Sequence, residues 1–283
     1  MAHASTSVLT RLAATTPCRA GKAAAQPARK PVYLNGIDRI RVRASAEALA
    51  VARPGRDVAR LPIARISRII ASRLVDWDAE ALILCLNRGI PIIFLDTSGH
   101  PAGICQPRHL RADSLSTLIE SAMDQPTWPQ RHENWLLHRR SIILADWRKR
   151  QEYIGGSAWL GDFHAYQRDY VHRNEFPEST KPEVFGWLLG LVVETLHGHG
   201  INTRYCGCQP TPFDLATDLT TLLRAELFFH GERMLEAAAD NLPAQLRLFE
   251  AWSRAHGAII ERHLFDLRKN LTHYVTGTQS KWR

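Results

Sequence analysis

The hydrophobic period of this chain changes near residue 107, and that switch constrains the fold more than any single residue. In front of it, "PVYLNGIDRIRVRA" (31–44) alternates apolar and polar positions, the period of a half-buried strand, and "VARLPIARISRIIAS" (58–72) does so again after Pro54 and Gly55. Behind it the period is helical over 110–125, 131–153, 184–198, 214–239 and 243–274, with polar loops between. The pattern predicts an α+β chain: a small, mostly antiparallel N-terminal β domain over 31–107, then a larger all-helical domain over 108–283, with no internal repeat.

Inside the first part, Ala79, Leu82, Leu84, Cys85 and Leu86 predict one short helix over 78–88 that covers a face of the sheet. Gly89 stops it before the apolar strand "IPIIFLD" and a turn at Ser98 and Gly99. In the second part, residues 155–181 are polar and aromatic and read as a loop or short helix between the main helices. Residues 1–30 carry Arg and Lys without any Asp or Glu and are rich in Ala, Ser and Thr, as in a transit peptide or an unfolded tail; the tail reading places them outside the fold.

Length and hydrophobic content suffice for a sizeable core, and no apolar run reaches the roughly 18 to 20 residues that span a bilayer. The 5 cysteines are an odd, scattered set without a secretory leader, which speaks against a disulfide framework and for a reducing cytoplasm. Lys and Arg number 36 against 28 Asp and Glu, and the resulting charge of +8 favours acidic partners, nucleic acid foremost, although an Arg-rich composition also has bland origins. No Gly-rich phosphate loop, dinucleotide fingerprint or nucleophile elbow is present; "YIGGSAWLGD" lacks both the spacing and the preceding strand.

From Leu61 to Gly103 the order is a Leu-Pro strand, a helix, and "NRGIPIIFLDTSGHPAG". That block resembles the N-terminal domain of the Cas-one integrases of CRISPR adaptation. A second likeness lies in "PEVFGWLLGLVVETLHGHGI" and "PTPFDLATDLTTLLRAEL", similar to the family's helix, metal-binding loop and acidic helix. The resemblance implies metal-dependent cleavage and insertion of short DNA fragments during spacer acquisition, with Mg²⁺ or Mn²⁺ as cofactor. It also implies DNA as substrate, a homodimer paired through the β domain, and the small Cas-two protein as partner.

The family's site takes a Glu, a loop His and two acidic residues one turn apart, hard ligands for a cation that stabilises the attacking and leaving oxygens of a phosphodiester exchange. By resemblance Asp218 keeps the first acidic position, and Thr221 replaces the second with a weak neutral oxygen. The loop His gives way to Gln209 or Cys208, and Asp146, with Tyr153 seven residues on, stands for the early Glu. Asp214, four residues before Asp218, is a further carboxylate that could restore the set. The implied metal ligands are thus Asp218, Asp146 and Gln209, with Asp218 and Asp146 as catalytic positions. Such losses leave a non-catalytic DNA-binding or assembly protein as the alternative reading.

Taken alone, Asp218 is an ordinary helix carboxylate or a partner for Arg224, and Asp146 pairs naturally with Lys149 or Arg150. Arg139, Arg140, Arg148, Lys149 and Arg150, set among Trp135 and Trp147, form the densest basic stretch and are the predicted DNA contacts; a solvated basic face is the bland reading. Arg262, Arg268, Lys269 and Lys281 could likewise follow a DNA backbone. His197, His199, Cys206 and Cys208 offer soft metal ligands, but residues two apart diverge on a helix or strand, so buried cysteines are the better reading than zinc.

Overall fold

The computed structural model describes residues 29–35, 39–107, 114–155, 159–175, 181–201, 203–205, 213–236 and 241–280. The predicted tail, the loop with Cys206, Cys208 and Gln209, and Lys281 lie outside the described residues. A strand-rich first part is followed by a helical second part, the predicted α+β order. The strands are β1 (Lys30–Leu34), β2 (Ile40–Ser45), β3 (Ala48–Ala52), β4 (Ala59–Pro62), β5 (Ile66–Ser72), β6 (Val75–Trp77), β7 (Ile92–Leu95) and β8 (Pro101–Cys105). Helix α1 (Ala79–Asn87) lies between β6 and β7, started by the Asp78 side chain on the Glu80 amide.

Two four-stranded sheets result, ordered β1-β5-β7-β8 and β4-β3-β2-β6. Pairing is mixed where mostly antiparallel pairing was predicted. The β1–β5, β5–β7 and β2–β6 pairs are parallel, and the β2–β3, β3–β4 and β7–β8 pairs antiparallel. The parallel pairs follow from long crossovers: the whole β2–β4 excursion separates β1 from β5, and α1 separates β5 from β7.

The first sheet is a middle layer. On one face Ile66, Ile69, Ala71 and Ile92 join Val42, Leu49 and Val51 of the other sheet and Ala81 and Cys85 of α1 in one buried cluster. On the other, Ile70, Ile93 and Leu95 belong to the core of the helical part. Burial on both faces explains the runs "RIIA" and "PIIFL", where period-two alternation is lost.

The helical part contains α2 (Ser114–Met123), α3 (Trp128–Ile154), α4 (Trp159–Tyr166), α5 (Pro182–Gly198), α6 (Leu215–Glu236), α7 (Leu242–His256) and α8 (Ala258–Ser280). A π-helical turn over Gln167–His172 continues α4 and buries Tyr170 and Val171. The segment over 243–274, read as one helix, is two helices interrupted at Gly257, a break without Pro or a left-handed residue to signal it. Apolar α5 is the hub, with Trp187, Leu188, Val192, Val193 and Leu196 buried between the first sheet and α6. No described helix is long and apolar enough to cross a membrane.

Candidate functional site around Asp218

Helix α6 begins beside a groove. Asp214 precedes its first residue and accepts from both the amide and the hydroxyl of Thr217, at 3.1 and 2.6 Å. The Asp214 carboxylate thus caps the helix. One turn on, Asp218 Oδ2 lies 2.8 Å from His132 Nε2 on α3. Thr221 Oγ1 donates to the Thr217 carbonyl at 2.9 Å, a bond back along its own helix.

His132 is the residue that sequence reasoning missed. Its ring lies 5.3 Å from Trp128, 5.6 Å from Trp135 in a stacked arrangement, and 4.7 Å from the edge of Phe213. The side chain is 12 % exposed, and Nδ1 is buried without a hydrogen-bond partner among the described residues. An aromatic box thus fixes the imidazole, and Asp218 accepts at its one partnered nitrogen. The i, i+4, i+7 spacing of Trp128, His132 and Trp135 places all three along one helix face, a signal available in the sequence.

Asp146 does not join this site. Contacts at His132–Asp218 and at Trp147–Phe229 show that α3 and α6 run side by side in the same direction. Asp146 lies fourteen residues beyond His132 (146 − 132), roughly 21 Å along the helix at about 1.5 Å per residue. Its half-exposed carboxylate is paired with Lys149 at 3.6 Å, the bland reading of that position. Two carboxylates so far apart cannot share a cation bound at about 2.1 Å. Among the described residues no group of three or more His, Cys, Asp or Glu is arranged to hold a metal.

The predicted DNA contacts divide. Arg139 and Arg140 are interior groups, 5 % and 4 % exposed, which corrects their reading as surface cations. Arg139 Nε donates to His263 Nδ1 at 3.0 Å, and its guanidinium lies 3.5 Å from Asp266; Arg140 donates to Glu133 at 2.6 Å. Helix periodicity turns these two positions toward α6 and α8, where a buried charge persists only when paired. Arg148, Lys149 and Arg150 are on the outer part of α3: Arg148 pairs with Glu152 and covers the Phe163 ring, Lys149 extends into solvent, and Arg150 meets His230 at 2.6 Å. His197 and His199 are at the end of α5, where His199 pairs with Glu261; Cys206 and Cys208 lie outside the described residues.

The groove itself has a volume of about 780 Å³. The β7–β8 hairpin with His100 forms one wall, the start of α5 with Lys181, Pro182 and Phe185 a second, and the α6 face with Asp214, Thr217 and Arg224 the third. Its lining thus includes the basic side chains of His100, Lys181 and Arg224 and the capping carboxylate of Asp214.

Residues 36–131 match the family model described as CRISPR associated protein Cas1. Among solved structures, a Cas1 protein from Thermotoga maritima is similar at a TM-score of 0.63 and 14 % identity, over 88 % of this chain and 97 % of that one. TtCas1 in complex with DNA is similar at a TM-score of 0.56 and 12 % identity, over 86 % and 91 %. A casposase bound to integration product is similar at a TM-score of 0.54 and 13 % identity, over 88 % and 91 %. No curated protein matches the chain by sequence. The family match thus covers the strand-rich part and the start of α3, and the fold of these Cas1 proteins is shared over nearly the whole chain.

Proposed function

We propose that this chain acts in CRISPR adaptation as a DNA-binding and assembly member of the Cas1 family, without strand-transfer chemistry of its own. The observation that carries this reading is the Asp218 site: the carboxylate left at the family's acidic position is engaged by His132 at 2.8 Å, while Asp146 lies about 21 Å away along α3. A reaction that needs several hard ligands on one cation loses its charge stabilisation when one carboxylate remains. DNA binding is supported by the net charge of +8, and TtCas1, which has this fold, was solved with DNA. In this reading the strand-rich part pairs two copies, the helical part holds DNA, and the partner is a small Cas2-type protein or a catalytically complete Cas1.

The reading that keeps integrase activity rests on Asp218 itself, joined by Gln209 from the loop outside the described residues, with Mg²⁺ or Mn²⁺. One experiment separates the two. Purified protein is incubated with a short duplex bearing free 3′ ends, a supercoiled repeat-containing plasmid, and Mn²⁺ or Mg²⁺, alongside Asp218→Asn. We expect no joined product from either protein, with DNA binding in both that weakens as salt rises. Metal-dependent joining by the wild type that disappears in Asp218→Asn would replace this proposal with the integrase reading.

A further inference from the structure

A second groove, of about 310 Å³, lies between α3 and α8. Arg131, Trp135 and His138 line it from α3, and Asp266, Lys269 and His273 from α8. On each helix these positions recur at three- and four-residue spacing, so each contributes one continuous stripe. Arg262, four residues before Asp266, extends the α8 stripe and is exposed.

The charge here is one-sided. Arg131 is bonded to Asn270 at 3.2 Å and covers the Tyr274 ring, which fixes its guanidinium at the rim. Lys269 and Arg262 are exposed and pair with no carboxylate among the described residues. The sole acid in the lining, Asp266, already accepts from Trp135 Nε1 at 3.1 Å and faces Arg139 at 3.5 Å. Buried Arg139 therefore neutralises the carboxylate from behind and leaves the outer cations uncompensated.

From this arrangement we infer that the α3–α8 groove is a phosphodiester track that takes one strand of DNA along the outer face of the helical part. Arg131 and His138, and likewise Arg262 and Lys269, are seven residues apart, about 10.5 Å along a helix. That spacing sets the polar side chains along the groove in a row that a phosphodiester backbone can follow. The lining offers cations and amide groups, with no open apolar pocket for a base, so the track reads backbone and not sequence. The inference rests on the DNA-binding reading and adds a specific path to it.

The test measures the salt dependence of duplex DNA binding for the full chain and for two charge-matched double variants. Arg262→Gln with Lys269→Gln removes two groove cations; Arg56→Gln with Arg60→Gln removes two exposed cations far from it in sequence, one from the β3–β4 connection and one from β4. The groove variant should lower the slope of log K against log salt by about two and weaken all sequences equally, while the control leaves the slope unchanged. All four positions are exposed, and matching melting temperatures check that each variant is folded. Equal slope changes in both variants, or an unchanged slope in the groove variant while wild type binds, overturn the track and leave the functional reading standing. Absence of DNA binding by the wild type overturns both.

Discussion

His263 shows how a single residue can be fixed by its surroundings. It is fully buried, accepts from Arg139 at Nδ1, and has Nε2 without a described partner. Burial, aided by Arg139 and Arg262, pushes its imidazole down to about 3. Folded protein therefore keeps this ring neutral where an unfolded chain protonates it, near pH 6.5. The unfolded state binds the extra proton, so stability is intact above pH 6.5 and falls as the pH drops from there toward 3. Urea unfolding at pH 7 and pH 5 should show a decline for the wild type that His263→Asn reduces, by up to about 1.4 kcal/mol per pH unit. Equal declines in the two proteins would refute the assignment. Sequence reading placed Asp218 on a helix because "DLATDLTTLLRAEL" is strongly periodic, yet it could not turn Arg139 inward or separate Asp146 from Asp218. Both depend on which helix lies alongside α3, and no local pattern encodes that.

At the level of elements, α5 and the first sheet meet through glycine. A Cβ at Gly186 would fall 2.4 Å from Leu95 Cδ2, and Leu95 is itself buried in β7. A methyl group there forces a core side chain out of place, at a cost of about 1 to 3 kcal/mol, more than the roughly 1 kcal/mol that Ala gains over Gly in a helix. Gly161 in α4 has no atom within 4 Å of the same position, so only the helix preference acts. Gly186→Ala should therefore lower the urea midpoint, while Gly161→Ala should raise it slightly. A stabilised Gly186→Ala would mean that α5 does not sit against β7 as closely as described. The glycine of "VFGWLLG" is legible only as a helix-weakening residue, because the contact that requires it lies in a strand ninety-one positions earlier (186 − 95). The break at Gly257 was invisible for a related reason: its φ of −53° is helical, and the division between α7 and α8 is made by packing.

At the scale of the whole molecule, Arg68 joins the two halves whose hydrophobic periods differ. It rises from β5, is 3 % exposed, and donates to Glu194 of α5 at 2.6 Å and to Glu250 of α7 at 2.7 Å. Tyr33 of β1 completes the group with a short hydrogen bond to Glu250, and burial, with Glu250 beside it, holds the phenol well above its usual range. Breaking a buried pair from one side costs about 3 to 5 kcal/mol because a charge is left unpaired. Both glutamates are partly exposed, so water screens them and the lower end applies. Arg68→Leu should thus cost about 3 kcal/mol. The core is continuous across the junction, with Ile70, Ile93 and Leu95 of the sheet in the same cluster as Trp187 and Leu223, so the strand-rich and helical parts should unfold together. Calorimetry should then record one transition for the wild type and one, shifted downward, for Arg68→Leu. Two separated transitions in the wild type would show that the halves are independent and that Arg68 joins surfaces that do not share a core. The sequence marks the boundary near residue 107 through the change of period, but an Arg within "ISRIIAS" reads as an outward strand position. Only the sheet order β1-β5-β7-β8, with α5 and α7 laid across it, turns that position into the centre of the molecule.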